Sequence, residues 1–264
     1  MGVGVARFDK LEFDDAEDTA TGHSTPEQVN VEKDERYWLE MAETQRRIGN
    51  HENALRFYSR SLEFDKSLII AWVGQVQMLI MLGEYPQAGT WSKKALELFP
   101  NNPDLLAAQS QSECRIGDFK RSNALIDGAL QQRGESAYQW QVRAELMVAQ
   151  KQKSDRYCFD KAQIASTDSL VPLETALIYL HYREFAKAQQ RIGLVLEKQA
   201  DSYYAWYLMG WCQEKLGLTQ AAIRSYRQCA ELCPNHHEAL MRLAQLRSGG
   251  WNIADLFRRI FRRS

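Results

Sequence analysis

The 264-residue chain has no apolar run near the roughly 18 residues that a membrane-spanning helix needs. Its N-terminus has no signal-peptide core. Gly2 follows Met1, but Ala6 stands where a myristoylation signal requires Ser or Thr. A cytoplasmic location is expected, with attachment to the edge of a membrane as the alternative. Proline is scarce at 6 residues and glycine at 15, so long helices run uninterrupted. The five cysteines, Cys114, Cys158, Cys212, Cys229 and Cys233, form no CxxC pair and read as buried free thiols. Histidine is equally sparse: none of the five has a second histidine or cysteine four residues on, so no metal site is expected. GxxxxGK[ST] and GxGxxG are both missing, which removes the usual phosphate-cradling loops. The carboxylates are scattered over helix faces. No catalytic constellation forms, no cofactor is expected, and a non-enzymatic protein is the reading.

Net charge is −1, so a nucleic-acid partner is not expected. The balance is uneven along the chain. Residues 1–34 carry nine acids against Arg7, Lys10 and Lys33, and residues 242–264 carry six arginines against Asp255 alone. Residues 1–33 mix acids with Thr, Gly, Ser and Pro and show no helical period, so they read as a disordered acidic arm. Within the arm, Phe8, Leu11 and Phe13 sit among Asp9, Glu12, Asp14 and Asp15. Such a mixture can dock on a basic or apolar groove, or remain a solvated tail.

What the chain does have is a period. Trp38, Trp72, Trp140 and Trp206 are spaced by 34, 68 and 66 residues. Gly49, Gly83 and Gly117 repeat every 34 residues, each 11 after Trp38, Trp72 or Leu106, and Gly217 keeps the same offset from Trp206. A fixed period of this size marks a stacked array of helical hairpins. The regular slots are 35–68, 69–102 and 203–236, and 103–136 lacks the tryptophan. Slot four, about 137–168, has lost the turn glycine in QKQKSDR and is about two residues short; slot five, about 169–202, has Pro172 in place of the tryptophan. In slot six Trp206, Met209, Gly210 and Gln213 share one helical face. Gly217 ends that helix in the left-handed conformation. Ala54, Ala88, Ala188 and Ala222 let paired helices approach closely. The chain is expected to be almost wholly helical from about 35 to 247, with the four tryptophans largely buried between helices.

The pattern W-x2-L-G-x2-Y … A-x3-F/Y … A … P resembles the tetratricopeptide repeat over about 35–236. The resemblance implies an all-α, right-handed superhelix of about six helix-turn-helix repeats. First helices would line a concave groove. HHEALMRLAQLRS after Pro234 resembles the capping helix. The expected organisation is an arm over 1–33, a solenoid over 34–247, and a hinge with a basic amphipathic helix over 248–264.

The resemblance also assigns groove positions. By slot these include Ile70, Val73 and Gln77, then Tyr138 and Gln141, then Leu173 and Leu177, then Tyr204, Tyr207 and Trp211. The Lys and Asn set of the carboxylate-clamp subfamily is missing there, so an apolar peptide or helix is the expected ligand. For Leu173 and Leu177, packing between helices is the competing role.

In the C-terminal stretch, Ile253, Leu256, Phe257, Ile260 and Phe261 make one helical stripe flanked by Arg258, Arg259, Arg262 and Arg263. Asn252 and Asp255 resemble a capping box, with Trp251 and Leu256 as its staple. Packing on the array, docking on a partner or a second copy, and lying on a membrane surface all remain open for this helix. The functional expectation is a protein-interaction scaffold or chaperone-like adaptor, with the bacterial secretion-chaperone type its sharpest form. A self-assembling scaffold (a homo-oligomer through the C-terminal helix) and a membrane-surface assembly factor are the alternatives.

Overall fold

The structure is a computed structural model that describes residues 33–132 and 134–247. The acidic arm to residue 32, the Ser248–Gly250 hinge and the helix expected from Trp251 onward lie outside the described residues.

The described residues fold into thirteen helices and no strand. Twelve pair as six antiparallel hairpins: α1 (Glu35–Arg47) with α2 (His51–Phe64), α3 (Ile69–Met81) with α4 (Tyr85–Leu98), α5 (Pro103–Ile116) with α6 (Phe119–Leu130), α7 (Ala137–Ala149) with α8 (Asp155–Ala165), α9 (Leu170–His181) with α10 (Phe185–Lys198), and α11 (Tyr203–Lys215) with α12 (Thr219–Leu232). A final helix, α13 (His237–Arg247), packs on α12. The chain divides into two compact units, one ending at Arg133 and one beginning at Gly134.

Sequence chemistry sets the helix ends. Asp34 accepts from the Tyr37 N–H and opens α1, and Asn50, Asn102, Asp118, Ser136 and Ser202 cap five later helices in the same way. Gly49, Gly83, Gly117 and Gly217 end their helices at φ between 76° and 97°. In hairpins four and five the equivalent left-handed positions are held by Lys151 and Arg183, at φ 56° and 60°. The loss of the turn glycine therefore changes the residue but not the backbone path. The shortfall of slot four falls on α8, which has 11 residues where α2, α4, α10 and α12 have 14. Pro172 is accommodated because it sits in the first turn of α9, where no N–H has an intrahelical partner.

In the first unit α3 packs on α2, α4 and α5, and every residue from Ala71 to Ile80 is buried. Ala54, Ala88 and Ser122 are fully buried on the second helices and let the pairs close. Tyr58 of α2 fills the space against α3. A Cβ on Gly74 would fall 2.4 Å from the Tyr58 ring, so this contact admits only glycine. The second unit has one core running through Val148, Phe159, Leu173, Tyr179, Ile192, Leu208 and Tyr226 to Leu243 of α13. There Gly210 faces Tyr226 nearly as closely, with a Cβ 2.7 Å from its ring.

The tryptophans depart from the expectation. Trp72 is buried, but Trp38, Trp140 and Trp206 are half-buried. Three of the four indoles use their N–H to hold the loop before their helix. Trp72 donates to the Lys66 carbonyl at 2.9 Å and Trp206 to the Ala200 carbonyl at 2.8 Å, six residues upstream in both cases. Trp140 donates to the Glu135 carboxylate at 3.2 Å. A side chain that must reach a surface loop keeps one edge near water. The Trp38 N–H is enclosed without a hydrogen-bond partner, and its ring packs between Tyr37 and Phe57.

Candidate functional site

The ten groove positions assigned by resemblance fall on first helices, but their exposure differs. In the first unit Ile70 is 54% exposed, while Val73 and Gln77 are buried under the neighbours of α3. The Gln77 Oε1 is enclosed and has no hydrogen-bond partner. In the second unit Tyr138, Leu177, Tyr204 and Trp211 are half-buried, and Gln141, Leu173 and Tyr207 are buried. Gln141 donates to the Val171 carbonyl at 2.9 Å, tying α7 to α9. Leu173 and Leu177 both pack against the core. The C-terminal candidates Trp251, Ile253, Leu256, Phe257, Arg258, Arg259, Ile260, Phe261, Arg262 and Arg263 lie outside the described residues.

Around α11 the aromatics form a cluster. Tyr204 stacks on Tyr207 at 6.5 Å, and Tyr207 meets Tyr226 at 6.1 Å and the His236 imidazole at 4.8 Å. His236 in turn caps α13 by accepting from the Ala239 N–H. Burial, then a hydrogen bond to Glu238, raises the Tyr207 hydroxyl well above its ordinary range. The Tyr226 hydroxyl is raised by burial and by donating to Glu214 at 2.9 Å. Both therefore stay protonated donors. Trp211 stands apart from this cluster, edge-on to Phe185 at 6.4 Å.

Burial also pushes the Cys212 and Cys229 thiols up to about 12, and all five cysteines are free. Such thiols are neutral and poorly nucleophilic. Among the described residues no group of His, Cys, Asp and Glu is arranged to hold a metal ion, and no helix is long and apolar enough to cross a membrane.

One cleft was missed by sequence reasoning. It has a volume of about 860 Å³ and is walled by the end of α7, the α7–α8 turn, α8, the end of α9 and α10 as far as Leu194. Its floor is held by Asp155, which is 4% exposed, accepts from the Tyr179 hydroxyl at 2.8 Å and pairs with Lys187 at 3.0 Å. Burial, then the Asp155 bond, raises the Tyr179 hydroxyl, so it too remains a donor. Arg191 lies over the Phe159 ring and pairs with Asp160 at 3.3 Å. Lys151, Lys153 and Arg156 stand exposed at the rim. The one signal in the sequence was the basic turn QKQKSDR, noted for its lost glycine and not for its charge.

A family model described as tetratricopeptide repeat matches residues 205–246, which span most of α11, α12 and α13. No curated protein matches the sequence. Among solved structures, the APC/C hetero-tetramer Cut9–Hcn1 is similar, with 13% identity over 81% of this chain and 43% of that chain at a TM-score of 0.50. This chain thus spans less than half the length of that one. A thermophilic protein of the same repeat type from Thermus thermophilus is 16% identical over 80% of this chain and 98% of that chain, with a TM-score of 0.47. YrrB, described as having an unusual peptide-binding site, is 17% identical over 70% of this chain and 96% of that chain, with a TM-score of 0.41.

Proposed function

We propose that this tetratricopeptide-repeat chain is a non-catalytic scaffold that holds an apolar peptide or helix of a partner protein against its first helices. The observation that carries the reading is the incomplete burial of Leu177, Tyr204 and Trp211 on the first helices of the second unit. A partner's apolar side chains would complete the burial, and aromatic anchors of this kind carry much of an interface's energy. The fold assigns no ligand by itself. A chaperone-like holder, such as one serving an exported protein, is the finer form of the proposal.

The test uses the full chain as bait and identifies what it retains. Trp211→Ala and Tyr204→Ala should weaken the retained partner by roughly 2 kcal/mol if these side chains are anchors. Helicity by circular dichroism should stay unchanged. Retention that is indifferent to both substitutions removes the reading. Tyr207 is the wrong probe, because its contacts with Tyr226 and His236 make it part of the fold.

The amphipathic stripe of residues 253–261 supports a second reading, in which the C-terminus docks on a second copy or on a membrane surface. Leu256→Asp with Phe257→Asp should abolish either docking. Neutralising Arg258, Arg259, Arg262 and Arg263 should release the chain only from vesicles containing anionic lipid, since each base there contributes on the order of 1 kcal/mol.

A further inference from the structure

We propose that the cleft between α8 and α10 is a second binding site, and that it takes an acidic peptide segment whose carboxylates alternate with apolar side chains. It is distinct from the first-helix face, because its mouth lies between the second helices of two successive hairpins.

Three observations lead there. The charge is the first: five bases, Lys151, Lys153, Arg156, Lys187 and Arg191, face three acids, Asp155, Asp160 and Glu184. Lys187 is committed to Asp155 and Arg191 to Asp160, so the surplus lies with the rim residues. Arg156 is 86% exposed and reaches Asp160 only at 3.8 Å. The second is the distribution of that charge. Asp160 and Glu184 interrupt it, so a compact dianion placed centrally would meet a carboxylate. A strand with spaced carboxylates can contact the rim cations and step over the acids. Lysines suit this role, being flexible point charges and not planar forks. The third is apolar surface inside the cleft, chiefly from Leu194, with the nearly buried Val148 and Tyr179 behind it. The volume of about 860 Å³ lies within the usual range for a ligand site and exceeds what a single phosphate would fill.

The Lys151 backbone fits the proposal. A lysine holds φ 56° where hairpins one, two, three and six have glycine at 76° to 97° and hairpin five has Arg183 at 60°. In hairpin four that side chain stands at the cleft rim.

The test is fluorescence anisotropy with the full chain and a labelled peptide, FDKLEFDDAED, which has the sequence of residues 8–18. A control peptide carries Asn and Gln in place of its acids. The acidic peptide should bind, the control should not, and the affinity should fall as salt rises. Lys151→Glu, Lys153→Glu and Arg156→Glu together should weaken binding roughly tenfold or more, as expected from several exposed charge contacts acting together. Lys151→Gly separates function from folding: it should weaken binding while raising the melting temperature. Sedimentation distinguishes the source of the natural segment. Self-association lost in the triple variant assigns it to a second copy, and a monomer that binds the peptide assigns it to another protein. Three results would overturn the proposal: no binding of the acidic peptide, binding that survives the triple reversal, or displacement by inorganic phosphate at constant ionic strength.

Discussion

Lys151 and Arg183 occupy the conformation that L-residues disfavour by roughly 1–2 kcal/mol, partly offset by the entropy a glycine would lose on folding. Lys151→Gly and Arg183→Gly should therefore each stabilise the chain by roughly 0.5–1 kcal/mol, measured by denaturant unfolding. The two differ in function, because Arg183 does not line the cleft. Gly74 shows the opposite constraint. Tyr58 is fully buried, donates to Glu43 at 2.5 Å and accepts from Arg46 at 3.3 Å, so it cannot swing aside for a new methyl group. Gly74→Ala should cost about 2 kcal/mol or more. A change under half that in urea unfolding would mean that α2 and α3 can separate slightly without loss. His51 opens α2, where burial and the Arg46 guanidinium depress its imidazole to about 4. The folded chain keeps it neutral while the unfolded chain protonates near 6.5. Stability should accordingly fall as pH drops from about 6.5 to about 4, by on the order of 2–3 kcal/mol. In His51→Gln that part of the pH dependence should vanish.

The helical elements were legible because their signals are local. A glycine eleven residues after a tryptophan, alanines at the closest approach, and a proline beyond the last turn each answer a need of one hairpin. The exposure of a face was not legible, since neighbours decide it. α3 shows this most clearly. Its position against α2, α4 and α5 buries Val73 and Gln77, which the repeat pattern alone places on an open groove. Gln77 offers a direct check. Its amide oxygen is enclosed without a partner, so Gln77→Leu should stabilise the chain by about 1 kcal/mol. Loss of stability instead would mean that a water or partner satisfies this oxygen. α8 illustrates the other gap. The shortness of slot four was read from residue counting, but the role of α8 in the cleft depends on Lys187 of α10, 32 residues from Asp155. No periodicity reports a pairing of that kind.

At the scale of the whole chain, the repeat period carried the architecture. The partner was not readable, because a scaffold's specificity lies in which side chains remain uncovered after packing. The repeating aromatics have one more consequence, an optical one. Trp38, Trp72 and Trp91 belong to the first unit, and Trp140, Trp206 and Trp211 to the second. Trp72 and Trp91 lie 6.0 Å apart with their planes inclined by 37°, a skewed pair whose electronic transitions couple. That pair should produce a signed doublet in the ultraviolet dichroism, removed by Trp91→Phe while the underlying helical signal stays in place. The chain thus carries its own chromophores for reporting the loosening of hairpin two, with no label attached.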